Sequence, residues 1–246
     1  MDKVYQKIEE AIADVNDGAM IAIGGFFACG VPRLLLQALI DKKVKNLTLT
    51  CGCGPLVGAT DELRALVKNG QLKKLIDSYG LARSASKGRQ DPFEQAVKAG
   101  TIELEVVPMG TLAERYRAAA AGVPAVYLPT GVGSIVEKSA VSSIVANRAP
   151  KETRVFNGRT YILEYALKPD FAFVHAHTAD KEGNLRYSKT ARNFNPVMAS
   201  AAKTTIVEAE NIVEPGEIDP DCIHTPGIYV KRVVQVPRLK IRVGID

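Results

Sequence analysis

The sequence predicts an α/β fold in which helices cover one mostly parallel sheet and a β-hairpin is added to it. Short apolar runs alternate with amphipathic stretches through the first half of the chain, which is typical of such a sheet. After residue 150 predicted strands dominate, and two of them flank Asn157-Gly158, a strong hairpin signal. No linker rich in Pro, Gly or Ser separates the two halves, so we expect residues 1–246 to form a single domain.

In the first half, an N-terminal amphipathic helix is expected because Val4, Ile8, Ile12 and Val15 recur at helical spacing. A second helix begins near Pro32, a residue favoured at the first helical position. Further helices are predicted at Thr60–Lys68 and from Thr111 to about Ala121; Thr111 and Glu114 have the spacing of a capping box. The predicted strands are Ala19–Ile23, Leu47–Cys51, Leu75–Tyr79, Glu103–Val107 and Ala125–Leu128.

The second half begins with the predicted hairpin and continues with three more strands. The hairpin strands are Arg154–Phe156 and Thr160–Leu163; the later strands are Phe171–His175, Thr204–Val207 and Ile228–Val236. The polar stretch Gly80–Pro92, earlier in the chain, is rich in Ser and Arg and follows a strand end. Two interpretations fit it, a lid near a binding site or a surface loop, and the surface loop is the simpler one.

Composition excludes several classes of protein. The chain has 32 Lys and Arg against 27 Asp and Glu, a net charge of +5 that is spread along the sequence, so nucleic-acid binding is not expected. The most basic stretch, residues 231–242, is interpreted as a solvated strand edge. No apolar run approaches the ~20 residues of a membrane span, and no secretory signal is recognisable. The four cysteines do not form a disulfide pattern, and we expect a cytoplasmic protein that binds no membrane.

Predicted strands end in glycine-rich loops, which are the first candidate functional segments. These loops are Gly24–Gly30, Cys51–Gly54, Met109-Gly110 and Gly131–Gly133. Ligands of parallel sheets bind beyond the carboxyl ends of the strands, and glycine lets backbone N–H groups approach anionic oxygens. Four such loops predict one shared binding face. Neither a Walker loop nor a dinucleotide fingerprint is present.

Other combinations of reactive side chains are weak signals. No G-x-S-x-G elbow occurs, which disfavours a hydrolase triad. Four zinc ligands are conceivable if Cys51 and Cys53 meet His175 and His177, but the pairs lie far apart and C-x-C is not the usual spacing, so we expect no metal site. Glu208 and Glu210 share a strand face and are interpreted as a solvated pair. His224, in a loop rich in Pro and Asp, is interpreted as a loop hydrogen-bonding residue.

The run from Asp17 to Pro32, which contains IAIGGF and a later Gly30-x-Pro32, resembles the first signature of the family I CoA-transferases. The resemblance continues through GTLAERYR (110–117), PTGVG (129–133), FNGRTYILEYAL (156–167), KTARNFNP (189–196) and HTPGIYVKR (224–232). Over nearly its whole length the chain is similar to the A, or alpha, subunit of two-subunit 3-oxoacid-type CoA-transferases. The resemblance implies a three-layer α/β sandwich with an open, mostly parallel sheet.

The resemblance also implies an activity: the transfer of coenzyme A from an acyl-CoA to a small free carboxylate through a glutamyl-CoA intermediate. In the family the nucleophilic glutamate belongs to a partner B subunit, so no catalytic residue is expected in this chain and the active enzyme is a hetero-oligomer. Coenzyme A is then a substrate, and no cofactor is implied. The resemblance assigns CoA binding to the glycine-rich loop, formed by Gly24, Gly25, Phe26, Phe27, Ala28, Cys29 and Gly30.

The second segment assigned by resemblance, Met109-Gly110, is expected to face the acyl group, and here the sequence departs from the family. Relatives usually carry a glutamine where this chain has Met109, and a thioether offers no hydrogen-bond donor. Loss of one oxyanion donor costs ~3 kcal/mol of transition-state stabilisation. Cys51–Gly54, Gly80–Pro92 and residues 117–122 depart as well. Two alternatives therefore stay open: the A subunit of a related acyl-CoA hydrolase, and a non-catalytic CoA-binding module.

Overall fold

The computed structural model describes residues 2–53, 60–78, 92–138 and 150–240. The strands are β1 Val4–Tyr5, β2 Met20–Phe26, β3 Leu47–Cys53, β4 Leu72–Asp77, β5 Glu103–Val106, β6 Ala125–Leu128, β7 Thr153–Phe156, β8 Arg159–Tyr165, β9 Phe171–Asp180, β10 Leu185–Arg186, β11 Thr204–Val213 and β12 Val230–Gln235. The α-helices are α1 Ile8–Ala11, α2 Arg33–Lys42, α3 Thr60–Lys68, α4 Pro92–Lys98, α5 Met109–Ala120 and α6 Asn195–Ala201. Most of Gly80–Pro92 lies outside these ranges, as does Gly54.

Within the described ranges, nine strands form one sheet, whose order is β1-β12-β11-β9-β2-β3-β4-β5 with β10 paired to β9. Every pairing is parallel except that of the short β10 with β9. At the centre, Ile23 of β2 lies opposite Cys51 of β3 and Phe173 of β9. The predicted mostly parallel sheet is therefore confirmed.

The sheet is covered on both faces. On one face, α1, α2, α3 and α4 pack on apolar strand residues such as Ile21 and Ile23. On the other face, α5 and α6 pack on residues such as Ala22 and Val174. Successive strand residues alternate between the two layers, as the pleat requires. The result is the three-layer sandwich that the resemblance implied.

The hairpin prediction is confirmed, but its neighbour β6 was misplaced. Asn157 and Gly158, with φ of 51° and 75°, form the tight turn between β7 and β8, where type I′ geometry needs positive φ at both positions. β6 pairs antiparallel with β8 to complete a separate three-stranded sheet. The loop Gly131–Gly133 therefore does not lie on the carboxyl edge of the main sheet, and the prediction of four glycine loops on one face is wrong for this one.

Two helix predictions also need correction. The N-terminal helix is only Ile8–Ala11, because Val4 is extended and pairs with Val233, giving β12 a neighbour on its outer side. Ile12 and Val15 still reach the core.

The expected capping box is absent. Helix α5 begins at Met109, directly after Pro108, so Thr111 lies within the first turn instead of at its cap. Thr111 is buried and its hydroxyl has no partner, while Glu114 forms an ion pair with Arg117. Pro108 takes the N-cap position, three residues ahead of Thr111, so the capping signal places the start of the helix too late. Across the described part of the chain, no helix combines the length and apolar character that crossing a bilayer would need.

Candidate functional site

The predicted CoA-binding loop forms a tight turn at the carboxyl end of β2, near the middle of the main sheet. The backbone N–H of Phe26 donates to the Cys29 carbonyl at 2.9 Å, and the N–H of Cys29 donates to the Phe26 carbonyl at 2.8 Å. Phe27, at the tip, is 40% exposed and has a φ of 53°. Chain reversal directly after a central strand carries the tip to the surface and returns the backbone to Pro32, which directly precedes α2.

Close packing, more than ligand access, explains the glycines of this edge. A Cβ on Gly24 would lie 1.8 Å from Oδ1 of Asn195, and one on Gly30 would lie 2.6 Å from Cβ of Ala191. On the neighbouring strand, a Cβ on Gly52 would lie 2.5 Å from the ring of Phe194. One segment, residues 189–195, thus presses on all three backbones. Gly24 is buried beneath this segment and Gly25 beneath the loop residues Cys29–Val31, so both support the loop and do not themselves face an open cleft.

Asn195 fastens the loop to its surroundings. Its Nδ2 donates to the carbonyls of Gly30 at 3.2 Å and Ala191 at 2.6 Å, and its Oδ1 accepts from the backbone N–H of His175 at 3.3 Å. The side chain is fully buried at the start of α6. Sequence reasoning missed this residue, although an asparagine between Phe194 and Pro196 ahead of an apolar helix was a visible signal of a buried amide.

A cleft of about 310 Å³ opens beside the loop. Of the predicted CoA-binding residues, Ala28, Cys29 and Gly30 line it, whereas Phe26 packs against the core on the α5 side. The opposite wall is the turn Ser188–Ala191. The other residues that line it are Val31, Arg33, His175, His177, Glu210, Arg238, Leu239 and Lys240. Cationic side chains outnumber the single carboxylate, so the cleft favours an anionic ligand.

His175 lies between two carboxylates on the floor of this cleft. Its Nδ1 is 2.8 Å from Oε1 of Glu208, and its Nε2 is 3.3 Å from Oε1 of Glu210. Burial by itself lowers the pKa of the imidazole, but hydrogen bonds and charge from the two glutamates outweigh burial, and the pKa of His175 lies above its ordinary value. The two carboxylates therefore favour the charged form of this ring more than water favours that of a free imidazole.

The interpretation of Glu208 and Glu210 as a solvated pair is wrong. Glu208 is fully buried, and its Oε2 accepts the backbone N–H groups of Leu34 and Leu35, both at 3.0 Å. These N–H groups lie in the first turn of α2 and have no acceptor within the helix. Pro32, at the N-cap, has no side chain that could accept them. A carboxylate from another strand thus supplies the cap, a contact that only the fold creates.

The predicted acyl-facing segment lies elsewhere on the same edge. Met109, the first residue of α5, is partly buried and packs against the core on that side of the sheet. Gly110 is exposed, and nothing would lie within 4 Å of a Cβ added to it. β5, which precedes them, is the third strand from β2. Three strand spacings correspond to roughly 14 Å. This chain therefore offers two separate surfaces along one edge, the cleft beside the glycine loop and the start of α5.

The remaining candidates fall outside both surfaces. Cys51 is buried against Asp77, and burial together with this carboxylate raises the pKa of its thiol. No cluster of His, Cys, Asp and Glu suited to a metal ion occurs among the residues that the structure describes. His224 accepts the backbone N–H of Tyr187 at 3.0 Å and stacks on its ring, as the loop interpretation predicted.

Comparison with known proteins gives a consistent result. The family described as "Coenzyme A transferase" matches residues 5–236. The A subunit of a probable succinyl-CoA:3-ketoacid coenzyme A transferase from Mycobacterium tuberculosis is 44% identical over 245 residues, covering 96% of this chain and 95% of that protein. Two solved structures are similar across 96% of this chain. Glutaconate coenzyme A-transferase from Acidaminococcus fermentans is 25% identical, with 76% of that chain covered and a TM-score of 0.74. A variant of the decarboxylase AibA/AibB is 28% identical, with 84% of that chain covered and a TM-score of 0.73.

Proposed function

This chain belongs to the coenzyme A transferase family, and from that premise we propose that it is the A subunit of a two-subunit enzyme that moves coenzyme A from an acyl-CoA to a free carboxylate. The observation that carries the proposal is 44% identity, over almost the full length of both chains, to a protein named as such a subunit. That name also supports succinyl-CoA as the donor and a 3-keto acid as the acceptor. The proposed compartment is the cytoplasm.

The reacting glutamate is proposed to come from a B subunit. The glutamates near the cleft are all engaged: Glu208 binds the start of α2, Glu210 contacts His175, and Glu62 pairs with Arg33 at 2.8 Å. A carboxylate nucleophile must instead reach the thioester unencumbered, and its acyl-glutamate and glutamyl-CoA products keep the thioester's free energy. The described residues of this chain offer binding surfaces around the cleft, which suits half of a shared active site.

We assign the anionic part of acyl-CoA to the cleft beside the glycine loop and the acyl group to the start of α5. The cationic side chains Arg33, Lys189 and Arg238 line the cleft, and phosphate groups are the anions that coenzyme A carries. Met109 presents an apolar thioether to its surroundings. The separation of the two surfaces suits a long ligand with an anionic end and a reactive acyl end.

The test is an assay of this chain alone and co-purified with its B subunit. Each preparation receives succinyl-CoA with and without acetoacetate. Hydroxylamine then traps an acyl-glutamate anhydride or a glutamyl-CoA thioester. We expect turnover only with both chains and acceptor, with trapping on the partner. Thioester loss without acceptor would instead establish the hydrolase, and tight CoA binding without any turnover would establish the non-catalytic module.

Exchange of Met109 tests the acyl surface separately. Met109→Gln adds an amide donor at the start of α5, whereas Met109→Leu preserves apolar character and approximate volume. We expect the glutamine variant to change kcat/KM for the acceptor by about tenfold or more, because one oxyanion donor is worth several kcal/mol. The leucine variant should stay within about threefold of the parent. Equal kinetics in all three proteins would remove Met109 from the acyl surface.

A further inference from the structure

The triad of His175, Glu208 and Glu210 connects the cleft to the helix that follows the glycine loop. Glu208 binds the backbone N–H groups of Leu34 and Leu35 with one oxygen and His175 Nδ1 with the other. This carboxylate is fully buried, and among the described residues the ring of His175 is its only contact with a group that can carry a positive charge. A buried carboxylate that loses its cation is strongly destabilised, so the position of α2 depends on the ring.

His175 is also connected to the loop through its backbone N–H. The N–H of His175 donates to Asn195, which in turn holds the Gly30 carbonyl. Val31 and Pro32 join Gly30 directly to α2. The loop is thus held at both of its sides, by Asn195 at Gly30 and by Glu208 at the start of α2, and His175 contacts both of these residues.

The ionisable groups near the ring come from several elements. Glu208 and Glu210 contact it from β11, on one side of β9, whereas β2, on the other side, carries no ionisable side chain. Glu210 in turn lies 4.0 Å from Nε of Arg238. The other ionisable side chains lining the cleft are Cys29 from the loop, Arg33 from α2, His177 from β9, Lys189 from the turn before α6, and Lys240 near the C-terminus.

We propose that His175 is a positioning residue for acyl-CoA binding, whose charged ring holds Glu208 on the first turn of α2 and thereby fixes the glycine loop; this rests on the proposed function of the cleft. The neutral ring can satisfy only one carboxylate as a donor, since a single nitrogen then carries a proton. Two glutamates would then share the site with one hydrogen bond between them and the ring. The first turn of α2 and the loop loosen, and affinity for the acyl-CoA falls.

The pH dependence of acyl-CoA binding follows from the charges of the triad. The carboxylates favour the imidazolium and raise its pKa in the folded protein. The stabilisation that the charged ring gives to this arrangement is complete below the ordinary pKa of histidine, about 6.5. It is lost as the pH rises through the higher pKa of His175 in the folded protein. Acyl-CoA affinity should therefore weaken on the alkaline side of neutrality.

The experiment compares the complex of both subunits carrying the parent chain, His175→Arg, His175→Gln or His177→Gln. The Kd for acetoacetyl-CoA is measured by calorimetry, and KM and kcat by turnover, from about pH 6 to about pH 9. His175→Arg keeps a cation that does not titrate in this range, and His175→Gln removes the charge. His177→Gln is the matched control for loss of an imidazole from the lining of the cleft: among the described residues its ring bonds to the Thr178 hydroxyl and to no carboxylate, so this variant is compared by the pH dependence of Kd and not by the absolute Kd.

We expect Kd and KM of the parent to rise about tenfold with pH, which corresponds to ~1.4 kcal/mol, while kcat changes less. His175→Arg should abolish this rise and retain the low Kd, His175→Gln should show the high Kd at every pH, and His177→Gln should retain the rise. A parent Kd that does not change with pH, or an arginine variant that binds like the glutamine variant, overturns the inference. If binding follows the expected pattern but no complex transfers coenzyme A, the proposed reaction fails and the positioning role stands.

Discussion

Gly24→Ala is the most direct test of how this site is built. The added methyl group would lie 1.8 Å from Oδ1 and 2.7 Å from Cγ of Asn195, well inside van der Waals contact. Gly24 is buried in β2 directly after Ile23, whose pairing with β3 and β9 on both sides holds the backbone in place. The asparagine must therefore move, and its movement breaks the bonds that hold the loop.

The expected cost follows from those bonds. Asn195 makes hydrogen bonds to the Gly30 carbonyl, the Ala191 carbonyl and the His175 N–H. At about 1 kcal/mol net for each buried bond, their loss amounts to roughly 3 kcal/mol, the upper end of what overpacking a core usually costs. For a chain of this size that lowers Tm by on the order of 10 °C.

Thermal and urea unfolding of the complex, at fixed concentration, measure this cost. The control is Gly110→Ala, the same substitution where nothing lies within 4 Å, which should change stability by less than about 1 kcal/mol. Adding Asn195→Ala to Gly24→Ala should relieve the clash, giving a coupling energy of about 2 kcal/mol. The reasoning is refuted if Gly24→Ala and Gly110→Ala unfold alike, or if the double variant shows no coupling.

Two further predictions concern buried polar contacts. The Thr50 hydroxyl lies 2.6 Å from the phenol oxygen of Tyr116, and Tyr116→Phe leaves it buried without this partner. The variant should lose about 1–3 kcal/mol of unfolding free energy in urea, and adding Thr50→Val should recover most of that loss. A double variant no more stable than Tyr116→Phe contradicts this. Burial opposes ionisation of Glu105, but Lys74 and Arg115 outweigh it and hold its pKa below the usual value. Its stabilising contribution is therefore fully present above about pH 4.3 and is lost as the pH falls through the lower pKa of the folded protein. Glu105→Gln should lower Tm at pH 7, and the difference in Tm should shrink steadily as the pH is lowered below that value; a pH-independent difference would count against the ion pairs.

Local sequence signals predicted the elements whose causes are local. Asn157-Gly158 specifies its own turn, and apolar runs of β2, β3 and β9 identify buried parallel strands whatever their partners. Where two local signals competed, the prediction failed: the capping box at Thr111 gave way to Pro108, which starts α5 earlier. β6 was correctly predicted as a strand but assigned to the wrong sheet, because its pairing with β8 is a long-range contact that its own residues do not encode.

The sequence by itself determined the fold class, the family and the loop at the end of β2, because periodicity, turn residues and long motifs are readable along the chain. Only the tertiary structure decided what the polar residues do. Glu208 caps α2 from another strand, Asn195 occupies the space that Gly24 leaves, and His175 lies between two carboxylates. These residues are separated by up to 184 positions in sequence, from 24 to 208, and their contacts arise only when parallel strands bring their carboxyl ends to one edge.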